Sequence, residues 1–163
     1  MRPRTRNFAT PARGCFNAMT VVNTIGFTKK TLRDFIGLLK SAQVGTLVDV
    51  RLRNTSQLAG WSKYPDFAYL LEEGFGIRYE HHPALAPTAE LLDQYKKDLD
   101  WAKYDMNFTR LLAARNPEAE CLTLLSRGTI CLLCTEATAE RCHRRIVAEY
   151  IAAISPGVEI KHL

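Results

Sequence analysis

The sequence predicts a three-layer α/β fold, a mainly parallel β-sheet of about five strands with helices on both faces. Strand-like and helix-like segments alternate along the chain. Two strand-like segments, residues 46–50 (TLVDV) and 129–135 (TICLLCT), are almost continuously apolar, as is typical of strands buried on both faces. Right-handed crossovers would bring the loops after the strands to one sheet edge, where ligands bind in such folds.

The first strand and the first helix begin this alternation. Residues 20–25 (TVVNTI) form a β-branched run that ends at Gly26, which predicts a strand. Apolar residues then recur at helical spacing after Thr31, and Asp34 completes a capping pattern with that threonine. We therefore expect a helix to start just after Thr31.

The second strand, at residues 46–50, is apolar apart from Asp49. A polar segment at residues 51–63 separates it from a second helix at residues 66–73, which two glycines end. Residues 77–80 then begin a third strand.

A long helical region occupies the middle of the chain. It follows a turn at residues 83–87 and extends over residues 88–126. The pattern predicts breaks in it near Asp105 and at residues 116–117, an Asn-Pro pair.

The last helix and strand follow the apolar strand at residues 129–135. Thr138 is predicted to cap a helix that runs to about Ile154. A Pro-Gly pair at residues 156–157 closes that helix, and residues 158–162 add an edge strand.

Length and composition indicate one domain with a short basic extension. With 163 residues, 47% of them apolar and 24% charged, the chain suits one globular domain, which we assign to residues 19–163. Residues 1–18 contain four arginines and no acidic residue. We interpret them as a disordered arm; the alternatives are an arm that contacts nucleic acid or an organelle-targeting peptide.

Charge, apolar runs and cysteines limit the partners and the compartment. The net charge of +5 favours weak attraction to phosphate-bearing partners, so nucleic acid or nucleotide is the partner class we expect. No apolar run approaches the ~20 residues that span a bilayer, so no membrane partner is predicted. Five cysteines without a secretory signal predict reduced thiols in the cytoplasm.

Charged residues at the end of the second strand form the first candidate cluster. A carboxylate in a buried strand is costly unless it is paired. One interpretation is an ion pair of Asp49 with Arg51 or Arg144 that only fixes the loop. The other is an anion-binding edge, in which Arg51 and Arg53 offer planar guanidinium groups to phosphate or carboxylate.

The end of the third strand carries Tyr79, His81 and His82. Neighbouring residues of an extended strand point to opposite faces, so we expect at most one of the two histidines to face the site. His81 is the candidate acid–base group, with a plain surface histidine as the alternative. No third metal ligand accompanies the pair in the sequence.

Cysteines lie near the end of the most apolar strand. Cys131 and Cys134 are three residues apart and should face opposite sides of the sheet, which argues against a zinc knuckle. Helix amides, His143 and Arg144 would lower the pKa of the Cys134 thiol at the strand exit. Cys142 could approach it; the alternative is two small buried residues that pack the strand against a helix.

Four blocks of the sequence resemble one known family. They are TIGFT at residues 24–28, LVDVR at 47–51, LLCTE at 132–136 and CHR at 142–144. In this order they resemble the signature blocks of the domain of unknown function 488 family, over roughly residues 21–154. The resemblance implies the α/β fold and a site at the strand ends, and members are sometimes linked to DNA repair. The family usually has Gly-His-Ser where this chain has Gly-Phe-Thr, so only the hydroxyl of Thr28 is carried over.

These observations support three hypotheses. The first is a nucleic-acid- or nucleotide-directed enzyme or binding protein, in which arginines hold phosphate and Cys134 or Glu136 acts on the bound group. The second is a cysteine-dependent sulfur- or phosphoryl-transfer enzyme of rhodanese-like arrangement, although residues 134–141 lack the glycines of such anion loops. The third is a non-catalytic interaction module whose polar residues form a buried network.

The predicted site gathers catalytic, anion-binding and supporting residues. Catalytic roles are assigned to Cys134, Glu136, Asp49 and His81, and anion binding to Arg51, Arg53 and Arg144. Supporting roles are assigned to Thr28, Tyr79, Cys142 and His143. No metal and no cofactor is predicted, because the chain has no Walker loop, dinucleotide fingerprint, Ser-His-Asp elbow or HExxH motif.

Overall fold

A five-stranded parallel sheet with helices on both faces forms the structure, a computed structural model that describes residues 20–163. The predicted basic arm at residues 1–18 lies outside the described residues. The strands are β1 (Thr20–Gly26), β2 (Thr46–Asp49), β3 (Arg78–His81), β4 (Ile130–Cys134) and β5 (Val158–His162). The helices are α1 (Leu32–Ser41), α2 (Asp66–Tyr69), α3 (Ala89–Asp98), α4 (Trp101–Arg115), α5 (Glu118–Leu125) and α6 (His143–Ile154).

The sheet has the strand order β3-β2-β4-β1-β5, and every neighbouring pair is parallel. The predicted three-layer α/β fold is therefore confirmed. Strand β5 forms one edge of the sheet, as predicted, and it pairs with β1. None of the helices in residues 20–163 combines the length and the apolarity that crossing a bilayer requires.

Two apolar layers cover the sheet, one on each face. On one side α1 and α2 contribute Phe35 and Phe67, which pack with Leu133 of β4. On the other side α4 and α6 contribute Phe108 and Val147, both fully buried. Burial on both faces explains why every residue of β2 and β4 is buried and why most of them are apolar.

The chain reverses its direction across the sheet between β2 and β4. The connection after β2 leads outward to β3, whereas the connection after β4 leads the other way, past β1 to β5. The loops after these two neighbouring strands therefore run in opposite directions from the carboxyl ends of the strands. Such a switch point opens a crevice, which is where ligands bind in open parallel sheets.

The predicted cap of the first helix is confirmed, but one of the predicted helix breaks lies at a different position. Thr31 caps α1 as expected, since its hydroxyl accepts a hydrogen bond from the Asp34 amide. The expected break near Asp105 is wrong, because α4 runs through it. The break lies instead at Leu99, which has a φ of 52°, and the side chain of Asp100 caps α4.

The predicted start of the last helix at Thr138 is also wrong. Helix α6 begins only at His143, after an extended Cys142 with φ −137° and ψ 135°. The reason is a long-range contact: Nη1 of Arg144 donates to the Glu136 carbonyl oxygen at 2.5 Å and holds the segment after β4 as a loop. A helix starting at Thr138 would need a different course of that loop.

Candidate functional site

A cavity of about 290 Å³ opens at the carboxyl ends of β2 and β4, at the switch point. Cys134 and His143 line its inner part, and the exposed side chains of Arg53 and Glu136 also line it. One further wall comes from α3, which contributes Lys96 and the apolar Leu92. This wall was not predicted, because no residue pattern in α3 indicates which strand ends the helix covers.

Asp49 and Arg51 form a bidentate ion pair at the end of β2. Nε and Nη2 of Arg51 donate to the two carboxylate oxygens of Asp49 at 2.8 and 2.6 Å. The remaining bonds of the guanidinium go to the hydroxyl and the carbonyl oxygen of Ser62, at 2.9 and 3.0 Å. The Tyr79 hydroxyl also donates to Asp49, and the side-chain amide of Asn54 donates to Tyr79 at 3.0 Å.

This buried network decides which arginines can meet a ligand. Asp49 pairs with Arg51 and not with Arg144, so the first of the two predicted ion pairs is the one that forms. Arg51 uses four of the five N–H groups of its guanidinium in hydrogen bonds within the protein. Arg53, in contrast, is exposed and forms no ion pair within residues 20–163.

The two histidines after β3 serve different contacts. Nε2 of His81 donates to the backbone carbonyl oxygen of Arg51 at 2.8 Å and so supports the loop after β2. His82 lies between the carboxylates of Glu80 and Glu120. Neither histidine lines the cavity. The structure therefore brings His81 to the backbone beside the cavity and not into it.

Two thiols and an imidazole converge behind the cavity. The side-chain donor atoms of Cys134, Cys142 and His143 all lie within 4.8 Å of one another, and all three residues are buried. The Cys134 sulfur is 3.5 Å from Nδ1 and 3.6 Å from Nε2 of His143. Because the Val50 carbonyl oxygen, 2.9 Å from Nε2, can only accept a hydrogen bond, Nε2 carries the proton.

Arg144 brings a positive charge into the same cluster. Its side chain is 1% exposed. Nε donates to the hydroxyl of Thr24 at 3.3 Å, and Nη1 donates to the Glu136 carbonyl oxygen and to the Cys142 sulfur, the latter at 3.5 Å. No carboxylate within the described part of the chain forms an ion pair with it. A buried cation with only neutral acceptors is costly, so an anionic partner nearby would stabilise it.

The Cys134 sulfur can supply that negative charge. Burial alone would raise the pKa of the Cys134 thiol, but a hydrogen bond from Cys142, the amides of Glu136 and Thr135 and the charge of Arg144 outweigh burial and lower it. The pKa of Cys142 moves the other way, because its hydrogen bond to Cys134 and its burial both favour the protonated thiol. The two thiols of the pair therefore differ, since their surroundings favour the anionic form of Cys134 and the protonated form of Cys142.

The cluster has the donor types that zinc prefers, but its geometry does not indicate a metal centre. Nε2 of His143 already donates to the Val50 carbonyl oxygen, so Nδ1, 3.5 Å from the Cys134 sulfur, is the one ring nitrogen left as a ligand atom. The Arg144 guanidinium also occupies the position beside Cys142 and already supplies positive charge there. We assign no metal to these residues.

Close contact between β1 and the loop after β4 explains the glycine of the TIGFT block. A Cβ atom on Gly26 would lie 1.6 Å from the Glu136 carbonyl oxygen, so only glycine fits. Thr28 supports the same loop through its backbone, whose N–H donates to the Thr135 carbonyl oxygen at 3.2 Å. Cys131 is fully buried on the α1 side of the sheet, away from Cys134, as expected for two residues that face opposite sides.

Comparison with known proteins identifies a family and nothing more specific. The family model described as domain of unknown function DUF488 matches residues 31–151. No curated protein and no solved structure matches the chain.

Proposed function

The chain belongs to the DUF488 family, and from its site we propose that it is a thiol-dependent enzyme whose nucleophile is Cys134. The observation that carries this proposal is the buried guanidinium of Arg144, which contacts the Cys142 sulfur, within 4.8 Å of the Cys134 sulfur, and has no carboxylate partner within the described residues. A thiolate on Cys134 stabilises that charge, and the cavity at the switch point gives a small substrate access to the sulfur.

Each cavity residue has a separate part in this reaction. The Cys134 sulfur forms a bond to the electrophilic atom of the substrate, and the leaving group departs with the electron pair of the broken bond. The hydrogen bond from Cys142, the amides of Glu136 and Thr135 and the charge of Arg144 lower the pKa of the Cys134 thiol before the attack. Arg53, exposed at the cavity, attracts an anionic substrate. The Glu136 carboxylate, exposed at the same cavity, accepts a proton that the reaction releases.

Residue-resolved alkylation of the folded protein tests this proposal. With iodoacetamide between pH 5 and 10, followed by mass spectrometry, we expect Cys134 to react with a midpoint below the value of about 8.5 for a free thiol. Cys121 and Cys131 should stay unmodified until the protein unfolds, because burial raises the pKa of both thiols, that of Cys121 to about 12. A folded protein in which Cys134 is inert over the whole range would refute the proposal.

A second candidate is the nucleic-acid- or nucleotide-directed function. One observation favours it: the exposed aromatic ring of Tyr64 lies near the exposed guanidinium of Arg53. The Tyr64 amide donates to the carbonyl oxygen of Asn54, the residue after Arg53, and the side chain of Tyr64 is 44% exposed. Aromatic rings that stack on bases beside cations that contact phosphate are the usual elements of single-strand binding.

Titration of a fluorescent single-stranded oligonucleotide at low salt tests this second function. We expect measurable binding that weakens as salt is added and that Arg53→Ala reduces. Lys40→Ala is the matched control, since it removes one charge at the last turn of α1, on the opposite edge of the sheet. Absence of binding at low salt would eliminate this function and leave the thiol chemistry untouched.

A further inference from the structure

We propose that Cys142 is the resolving thiol of Cys134, so that the substrates are small compounds with an S–S bond and the reaction leaves a Cys134–Cys142 disulfide. This inference rests on the proposed function and names its substrate class. Its basis is the proximity of two cysteine sulfurs, within 4.8 Å of each other, behind a cavity that Cys134 lines and that has partly apolar walls.

The positions of the two cysteines permit this bond. Their sulfur atoms lie within 4.8 Å of each other, and a disulfide needs about 2.05 Å. Cys142 has extended backbone geometry and precedes the first turn of α6, so helical packing does not restrict its side-chain rotamer. The eight residues from Thr135 to Cys142 form a loop outside the regular elements, which can adjust to the new bond.

The two thiols differ in the way that such a reaction requires. Cys134, with its lowered pKa, is the thiol that attacks first, whereas the raised pKa of Cys142 keeps that thiol from competing for the substrate. Nη1 of Arg144 contacts the Cys142 sulfur at 3.5 Å. Once the Cys134 sulfur is bound in an S–S bond it carries no charge, and the guanidinium then favours ionisation of Cys142. The first step therefore activates the second thiol.

The reaction consists of two exchange steps. In the first, the Cys134 thiolate attacks one sulfur of R–S–S–R, forms Cys134–S–S–R and releases RS⁻, which takes the electron pair of the broken bond. In the second, the Cys142 thiol gives its proton to the released RS⁻, and its sulfur attacks the Cys134 sulfur and releases another RS⁻. The substrate disulfide is reduced by two electrons and the protein dithiol is oxidised. An external thiol reductant returns the protein to the dithiol form.

The cavity fits a compact, uncharged or anionic disulfide. Its volume of about 290 Å³ is at the small end of ligand pockets, and Leu52, Ala89 and Leu92 give it apolar surface beside the sulfur. Bis(2-hydroxyethyl) disulfide combines small size with an S–S bond and is a suitable probe.

The experiment treats the reduced full-length protein with this disulfide and maps the products by mass spectrometry. In the unmodified chain we expect a Cys134–Cys142 cross-link and two released thiols per protein. In Cys142→Ser we expect one stable mixed disulfide on Cys134, because the second step is removed. In Cys134→Ser we expect neither product. Cys131→Ser is the matched control and should react like the unmodified chain, since Cys131 lies on the α1 side of the sheet.

The outcomes separate this inference from the proposed function. A mixed disulfide that persists on Cys134 of the unmodified chain would overturn the resolving role of Cys142 and leave Cys134 as a nucleophile. No reaction with the disulfide at a Cys134 that iodoacetamide still alkylates would overturn the substrate class. A Cys134 that resists both reagents in the folded protein would overturn the proposed function itself.

Discussion

Replacing Asp49 with alanine is expected to lower the free energy of unfolding by about 3–5 kcal/mol. The substitution leaves the guanidinium of Arg51, which is 3% exposed, without its carboxylate. It also removes the acceptor of the Tyr79 hydroxyl, which is then left with only the Asn54 amide. Urea denaturation followed by circular dichroism measures the loss as a lower midpoint at an unchanged slope.

Asp93→Ala is the matched control for this measurement. Asp93 pairs with Lys96 on the exposed surface of α3, so its loss should change the free energy of unfolding by no more than about 0.5 kcal/mol. An Asp49→Ala protein as stable as this control would contradict the role of the network.

Asp49→Asn addresses the interaction-module hypothesis, in which the polar residues only hold the fold together. That hypothesis requires Asp49→Asn to unfold the protein, and a fully folded variant would count against it.

The fold could be predicted from the sequence because the local residue patterns match the burial of each element in the folded protein. The two apolar runs correspond to β2 and β4. Both strands lie inside the sheet with a neighbour on each side, and every residue in them is buried. The capping pattern of Thr31 and Asp34 also marks the true start of α1, because it depends only on residues three apart. Such local signals survive folding when no distant contact competes with them.

Distant contacts explain the errors. Thr138 has the chemistry of a helix cap, but the bond between Arg144 and the Glu136 carbonyl oxygen keeps that segment as a loop. Asp105 lies on α4 and forms an ion pair with Arg145 of α6 at 3.1 Å, so a tertiary contact stabilises it within the helix. Neither contact is visible before α6 is positioned on the sheet.

Part of the candidate site could not be predicted from the sequence either. Residue spacing indicated that Cys134 and Cys142 could meet, since one ends a strand and the other lies near the start of the next helix. Thr24, which accepts the Nε hydrogen bond of Arg144 and contacts Nδ1 of His162 at 2.7 Å, had no signal. Its proximity follows from the parallel pairing of β1 with both β4 and β5, which is a property of strand order alone.

The two buried arginines of the site have opposite electrostatic situations. Arg51 has its carboxylate and completes a structural network, so its charge is neutralised whatever occupies the cavity. Arg144 lacks a carboxylate partner within residues 20–163 and contacts a cysteine sulfur. Of these two cations, only Arg144 has a charge whose neutralisation depends on the ionisation of a thiol. The chemistry of the site should therefore respond to Arg144 and its stability to Asp49 and Arg51.

Arg144→Met is accordingly expected to slow alkylation of Cys134 at pH 7 by about tenfold. Loss of the guanidinium removes one of the groups that lower the pKa of this thiol, so the pKa rises and less thiolate is present at a given pH. The greater intrinsic nucleophilicity of a more basic thiolate offsets part of this loss. The measurement is the alkylation rate of Cys134 as a function of pH, and its midpoint should move to higher pH.

Arg145→Met is the matched control, because the neighbouring guanidinium faces Trp101 and Asp105 on the other side of α6. It should leave the pH profile of Cys134 unchanged. Arg144→Lys separates charge from packing, since it keeps a cation but loses the planar donors that bind Thr24 and the Glu136 carbonyl oxygen. If the charge matters, the lysine variant keeps a lower midpoint than the methionine variant. Equal midpoints in the two folded variants would mean that Arg144 acts on the loop and not on the ionisation of Cys134.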